Sequence, residues 1–153
     1  MKTKLFLFFL ILGVQLFQAQ EITEKEYEIY STYIGEQGLT DYPIINRIPE
    51  KFRIYAIFED SIAMAISKIS VHNFDHKKLR SMSLKHDLID PENKRISFDP
   101  NLIIYFSPIY FVNPTEGYFI TIYEHKNAKP FYFFFKAQKI NNKWTILDYN
   151  NIY

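Results

Sequence analysis

The chain has 153 residues, of which 48% are hydrophobic and 18% aromatic, and its 18 basic side chains nearly balance its 17 acidic ones. Because cysteine is absent, disulfide bonds, a lipid-attachment cysteine and a cysteine nucleophile are excluded, and the fold must be held by its core alone. The balanced charge predicts no nucleic-acid partner, since such binding requires a concentrated basic surface.

The first residues have the layout of a secretory signal peptide. Two lysines precede an apolar run from Leu5 to Leu12, and small or polar residues follow as far as Ala19. The run is too short to cross a bilayer comfortably, because a span needs about 20 residues. We therefore expect residues 1–19 to be a cleaved signal and residues 20–153 to form a single exported domain, periplasmic or secreted, with no transmembrane span after cleavage. The alternative is an uncleaved N-terminal anchor.

A capping pattern marks the start of the first predicted helix. Thr23 and Glu26, three residues apart, make a capping box, and Gly35 or Gly38 can end the helix in a left-handed cap. The aromatic and aliphatic side chains between them follow helical spacing and share one face. We expect this helix to lie over an apolar sheet face, and a partner-binding helix is the alternative.

Four elements are predicted in the middle of the chain. Ile44-Ile45 is typical of an extended pair, and the segment from Phe52 to Phe58 of a strand. The segment from Ala63 to Val71 satisfies strand alternation at first and helical spacing later; we predict a strand, with a short helix as the alternative. A second helix is predicted between Phe74 and Leu88, with Asp75 as its N-cap.

The last third of the chain carries four strand-like runs that are rich in aromatic and β-branched residues. These runs are Pro108 to Val112, Gly117 to His125, Phe131 to Ile140, and Lys143 to Tyr149, and the segment from Leu102 to Phe106 before them is also predicted to be extended. The link Asn141-Asn142 favours a two-residue type I′ turn, because asparagine tolerates positive φ. This turn fixes a register in which Phe135 faces Asp148, and closing the earlier hairpin in the same way pairs Ile120 with Phe135 and Ile122 with Phe133.

That register predicts two unequal sheet faces. The first is almost wholly apolar and is assigned to the core beneath the first helix. Its residues are Ile109, Phe111, Tyr118, Ile120, Ile122, Phe131, Phe133, Phe135, Ala137, Trp144 and Ile146. The second face carries large side chains with polar groups, and we predict a binding surface there. Its candidate binding residues are Tyr110, Tyr123, Tyr132, Phe134 and Tyr149. The alternative is a second core layer covered by the segment from Leu39 to Leu88.

Few residues carry a pattern typical of catalysis. The register points Asp148 toward the apolar face, where a carboxyl group would have a raised pKa and could act as a general acid or base; a hydrated position at the end of the sheet is the alternative. His72 and His76 are four residues apart, but the general base and the full ligand set of a metal site are missing. We predict no catalytic residue, no metal and no cofactor, with Asp148 kept for an enzyme alternative.

The segment from Phe133 to Ile146, which closes with a Lys-Trp-x-Ile strand, resembles the last hairpin of two groups of proteins. One is a set of small exported domains of unassigned function in Gram-negative bacteria. The other is the nuclear transport factor two-like superfamily, of cystatin-like α+β architecture, whose members wrap a curved antiparallel sheet around helices and often hold a pocket. The resemblance covers about the last third of the chain and carries no activity over to particular residues.

Taken together, the elements predict an α+β fold. An N-terminal helix and a shorter second helix pack on a curved antiparallel sheet of four to six strands that ends in a C-terminal β-meander. The predicted function is a non-catalytic binding or interaction module of the bacterial envelope, using the aromatic face, with an unknown small molecule or protein as partner. The alternative is a small pocket enzyme of the nuclear transport factor two-like type, performing proton transfer or hydrolysis on a small apolar molecule with Asp148 and one histidine.

Overall fold

A computed structural model describes residues 22–52, 57–58, 60–69, 74–86 and 99–152. Three helices and a six-stranded sheet fall within these ranges and confirm the α+β class. The helices are α1 (Glu24–Glu36), α2 (Ser61–Ser67) and α3 (His76–Ser83), and a 3₁₀ turn covers Glu50–Phe52. The strands are β1 (Ile44–Ile45), β2 (Leu102–Phe106), β3 (Tyr110–Asn113), β4 (Glu116–His125), β5 (Phe131–Ile140) and β6 (Lys143–Ile152). The predicted signal and His72 lie outside these ranges.

The sheet is open, and its strand order is β1-β2-β4-β5-β6. Strands β2 and β3 pair with the same edge of β4, β2 at its C-terminal end and β3 at its N-terminal end. Neighbouring strands run antiparallel, as predicted, except that β1 runs parallel to β2. The sheet is therefore mixed. The parallel pair is two residues long and aligns Ile44 with Ile104. None of the helices within the described ranges is long and apolar enough to cross a membrane.

Helix α1 begins and ends where the capping pattern predicts. The Thr23 backbone N–H donates to Glu26 Oε2 at 2.8 Å, and the Glu26 N–H donates to Thr23 Oγ1 at 3.3 Å, so the capping box is complete. At the other end Gly38 adopts a φ of 66°, and the N–H of Leu39 donates to the carbonyl of Ile34 at 2.8 Å. This is a Schellman ending, and it turns the chain sharply toward β1.

Two predictions for the middle of the chain are wrong and two are confirmed: Ile44-Ile45 is extended, as β1, and the second helix forms, as α3. The predicted strand from Ala63 to Val71 is helical over α2, because Asp60 caps it by accepting hydrogen bonds from the next turn, and its buried residues Ala63 and Ile66 have helical spacing. The predicted strand from Phe52 to Phe58 is also wrong where the structure describes it: Phe52 closes the 3₁₀ turn and residues 57–58 are helical. Asp75 caps α3 as predicted.

The β5–β6 hairpin confirms the predicted turn. Asn141 and Asn142 have φ values of 49° and 66°, which a type I′ turn requires. The predicted residue pairs are confirmed from the turn as far as the pair of Phe135 with Asp148. A bulge then shifts the register, so Phe134 pairs with Asn150 instead of with Tyr149 as predicted.

The predicted register of the β4–β5 hairpin is wrong by one residue. Ile120 pairs with Phe134, and Ile122 pairs with Tyr132. The connection closes on a tight turn in which the N–H of Ala128 donates to the His125 carbonyl at 3.2 Å, and β5 begins only after Pro130, which has no N–H for the ladder. A one-residue change moves every β4 side chain to the opposite face.

Both faces of the sheet are therefore core, but each β4 side chain lies on the face opposite to the predicted one. We call the side beneath α1 and α3 the helix face and the other side the reverse face. The hydrophobic residues of the strands and of the β2–β3 connection that are buried on the helix face are Ile104, Phe106, Ile109, Phe119, Phe135, Ala137 and Trp144. Those buried on the reverse face are Tyr105, Tyr118, Ile120, Ile122 and Phe134. The predicted assignment of Tyr118, Ile120 and Ile122 to the helix side is wrong, and Phe131, also predicted to be in the core, is 58% exposed.

Candidate functional site

The aromatic residues predicted to bind a partner do not share one open surface. Tyr123 lies on the helix face, where its hydroxyl is 2.7 Å from that of Tyr33. Phe134 lies on the reverse face but is fully buried, with its ring 5.1 Å from the Phe58 ring in an edge-to-face contact. The β4 register places Tyr123 on the helix face, and side chains from the middle of the chain cover Phe134.

The other three candidates lie on the reverse face with different exposures. Tyr110 is half-buried, and Tyr132 packs edge-to-face on Phe52 with ring centroids 6.1 Å apart. Tyr149 is 40% exposed, and its ring contacts that of Tyr118 at 4.9 Å. The reverse face is thus a covered second core layer, which was the alternative to an open binding surface. We call Tyr149 of β6, exposed at its edge, the aromatic rim.

The buried hydroxyl pair of Tyr33 and Tyr123 is a structural feature. Burial raises the pKa of Tyr33 to about 12 and raises the pKa of Tyr123 far above its usual range. Both phenols therefore keep their protons at neutral pH. They serve as mutual hydrogen-bond partners inside the core, where an unpaired hydroxyl would be costly.

Asp148 and the histidines are not brought together. Asp148 lies opposite Phe135 on the helix side, as predicted, but it is exposed. His76 is exposed in the first turn of α3, and His125 pairs with Asp99 at 2.9 Å. In the part of the chain that the structure describes, no three His, Asp or Glu side chains are placed to hold a metal ion.

A cleft of about 210 Å³ opens between α3 and residues 39–44, the connection from α1 to β1. Its walls combine apolar side chains with a few polar and charged ones. The lining residues are Ile34, Thr40, Asp41, Tyr42, Ile44, His76, Leu79, Arg80 and Ser83. None of them was a predicted binding residue, and His76 was considered only as a metal ligand.

Helix packing builds this cleft. Gly35 lets α3 approach α1 closely, since a Cβ there would lie 2.4 Å from the carbonyl oxygen of Ser83. The start of α3 is tied to α1 as well, because the Asp75 N–H donates to the Tyr27 hydroxyl at 2.7 Å. With the helices fixed in this way, the sharp turn after Gly38 leaves a gap beside α3 that the connection does not fill.

An ion pair lies at the mouth of the cleft. Arg80 Nη2 donates to Asp41 Oδ1 at 2.7 Å, and the two side chains are 58% and 61% exposed. Deeper in, Ile34 and Leu79 are almost fully buried and supply apolar wall. The cleft therefore has one cation and one anion at its mouth, and Ile34 and Leu79 expose little of their apolar surface to it.

Thr40 and Ser83 carry hydroxyl groups in the cleft lining. Thr40 is 8% exposed, and its Oγ1 has no hydrogen-bond partner among the residues that the structure places. Ser83 differs, because its hydroxyl donates to the Leu79 carbonyl at 2.8 Å and is thereby committed to the helix. A buried hydroxyl without a partner costs stability, and Asn46 Nδ2 and Thr121 Oγ1 are in the same state elsewhere in the described residues.

Comparisons with protein-family models, curated proteins and solved structures find no match for this chain. The resemblance to exported domains and to the nuclear transport factor two-like superfamily therefore stays a prediction.

Proposed function

We propose that this protein is a non-catalytic binding module of the bacterial envelope, which holds a small molecule in the cleft between α3 and residues 39–44. The observation that carries the proposal is the cleft itself, which is lined by both polar and apolar side chains and has the Arg80–Asp41 pair at its mouth. Its volume is below the roughly 300–1,000 Å³ of drug-sized sites, so the ligand is a small metabolite.

The aromatic sheet supports this location because it leaves little surface for a partner. Phe52, Phe58, Ala63 and Ile66 cover the reverse face, and α1 and α3 cover the helix face. Among the predicted binding residues, Tyr149 alone is exposed. A binding surface made of the whole aromatic face would require the middle of the chain to detach.

Export is part of the proposal and rests on the sequence. The N-terminal pattern is that of a signal peptide, and a chain without cysteine can fold in an oxidising compartment without forming wrong disulfides. A binding role rather than a catalytic one is supported by the cleft chemistry. Ser83 is committed to Leu79 and is not a free nucleophile for His76, and Asp148 does not line the cleft.

Native mass spectrometry of the protein purified from the cells that make it tests both parts in one spectrum. We expect a mature N-terminus at or near residue 20 and a small-molecule adduct. The adduct should be lost in Arg80→Gln and kept in Arg47→Gln, a matched change at an exposed arginine that does not line the cleft. Retention of residues 1–19 would contradict export by a cleaved signal. An adduct that survives Arg80→Gln and is lost in Tyr149→Ala would move the site to the aromatic rim.

A further inference from the structure

We infer that Gln20 is a modification site: once the predicted signal is removed, it closes to a pyroglutamate that blocks the N-terminus of the mature chain. The inference rests on the proposed export and adds the chemical form in which the exported chain begins. Two features support it, namely the residue that the predicted cleavage leaves at the terminus and the contacts that Ile22 and Thr23 make just after it.

The predicted cleavage leaves a terminal glutamine. The signal ends at Ala19, so the α-amine that cleavage releases belongs to Gln20. An α-amine ordinarily titrates just above neutral pH, and a fraction of it is therefore uncharged and nucleophilic under physiological conditions. The side-chain amide of the same residue is the electrophile nearest to it along the chain. Nucleophile and electrophile thus belong to one residue, and an intramolecular reaction has a high effective concentration.

The ring closes without a co-reactant. The α-amino nitrogen of Gln20 attacks the side-chain carbonyl carbon Cδ and forms a new amide bond. The bond between Cδ and Nε2 breaks, and the side-chain nitrogen leaves as ammonia with the proton that the attacking nitrogen gives up. The product is a five-membered lactam that has neither a free amine nor a positive charge. No oxidant, reductant or cofactor is consumed.

The chain that follows Gln20 is anchored within a few positions. Gln20 itself lies outside the described residues, which begin at Ile22. Ile22 is half-buried and packs against the core of the helix face. Thr23 is the N-cap of α1, and its N–H and its hydroxyl group both donate to Glu26 Oε2 at 2.8 Å. The proposed terminus therefore lies three positions before the cap.

Loss of the terminal residues would damage this cap. The Glu26 side chain is buried, with the residue 4% exposed, so water would replace the two Thr23 donors poorly. A buried carboxylate that loses hydrogen-bond donors costs stability, as does the loss of an N-cap. An aminopeptidase acting on a free terminus at Gln20 would remove Thr23 in its fourth step. Because such an enzyme requires a free α-amine, a pyroglutamate stops it at the first step.

Peptide mass spectrometry of the protein purified from the cells that make it tests the inference. Free amines of the intact protein are labelled by reductive methylation before digestion, so a terminus that is already blocked stays unlabelled. We expect an N-terminal peptide that begins at residue 20, has an unlabelled terminus, and is lighter than the glutamine form by the mass of one ammonia. The exposed Lys143 should take the label and shows that the labelling worked.

The possible results separate this inference from the proposed export. A labelled terminus at Gln20, or a terminus at another position after the signal, would overturn the inference while export by a cleaved signal stands. Retention of residues 1–19 would contradict export, and the inference with it.

Gln20→Asn is the matched control. Asparagine keeps the amine and the amide, but it is one methylene shorter, so its lactam would have four members and strained bond angles. We expect this variant to be cleaved at the same place and to carry a labelled terminus. An unlabelled terminus in Gln20→Asn would indicate a different blocking group and overturn the inference.

The protective role gives a second measurement. Incubation with a broad-specificity aminopeptidase should leave the wild-type protein intact, whereas Gln20→Asn should be shortened past Thr23. The midpoint of thermal unfolding should then fall for the variant and stay unchanged for the wild type. If the variant resisted the aminopeptidase as well as the wild type does, the fold and not the ring would protect the terminus, and the protective role would be wrong.

Discussion

The helix face and the reverse face of the sheet are both core, but they are covered differently. On the helix face, α1 runs for 13 residues, and Tyr30 packs edge-to-face against Phe74, Phe106 and Phe119 with ring centroids 5.1 to 6.0 Å apart. On the reverse face, short elements cover the strands: Phe52 comes from the 3₁₀ turn, and Ala63 and Ile66 come from the seven-residue α2.

An opening remains on the helix side. Where α1, α3 and residues 39–44 meet, they leave space between them unfilled. That gap is the cleft beside Arg80. In this protein, the segments richest in aromatic residues form the core on both faces, and the candidate site lies beside that core.

The largest expected effect tests whether the two faces are equally core. Phe119→Ala on the helix face and Phe134→Ala on the reverse face should each lower the free energy of unfolding by about 3–5 kcal/mol, because both rings are fully buried. Phe131→Ala is the matched control on β5, at a ring that is 58% exposed, and should cost less than about 1 kcal/mol. Urea unfolding gives all three values. A Phe134→Ala cost near that of the control would mean that the reverse face is open.

The next effect concerns the contact between the helices that shapes the cleft. Gly35→Ala should lower the free energy of unfolding by about 1–3 kcal/mol, because the new methyl group would meet the Ser83 carbonyl oxygen and His86 Cβ at 2.4 and 2.7 Å. In an uncrowded helix interior the same change stabilises by roughly 0.5–1 kcal/mol. Chemical denaturation distinguishes the two signs, and a stabilised variant would show that α1 and α3 are farther apart than the structure places them.

The smallest effect concerns the hydroxyl pair that bridges α1 and the sheet. Tyr33→Phe or Tyr123→Phe should each cost about 1–2 kcal/mol, because each leaves the other hydroxyl buried without this partner at 2.7 Å. The double variant should cost less than the sum of the two single costs, since it removes both groups. A double-mutant cycle measures that coupling, and strictly additive costs would indicate that the two hydroxyls do not interact.

The parts of the fold that follow from local sequence were predictable. The Thr23–Glu26 capping box, the Asp75 cap and the Asn141-Asn142 turn are each decided within a few residues, and all three are confirmed. The β4–β5 register depends on a longer connection ending at Pro130, where the difference of one residue exchanges the faces. Alternation alone does not reveal that difference.

The cleft was not predictable for another reason. Asp41 and Arg80 are 39 positions apart, and they meet only because Gly35 allows α3 to pack closely on α1. The one local signal was the spacing of His76 and Arg80, which puts both on one side of α3, and such a pair is common on solvated helices. Tertiary packing, not a sequence motif, brings the lining residues together.

Hydroxyl-radical footprinting with residue-level mass spectrometry tests most directly the central claim, that the aromatic residues of the sheet are core on both faces. Phe119 and Phe134 are both 0% exposed, whereas Phe131 and Tyr149 are 58% and 40% exposed. We expect Phe131 and Tyr149 to be oxidised readily in the native protein, and Phe119 and Phe134 to be protected until it unfolds. Oxidation of Phe134 at the rate of Tyr149, with Phe119 still protected, would contradict the claim and restore an open aromatic face.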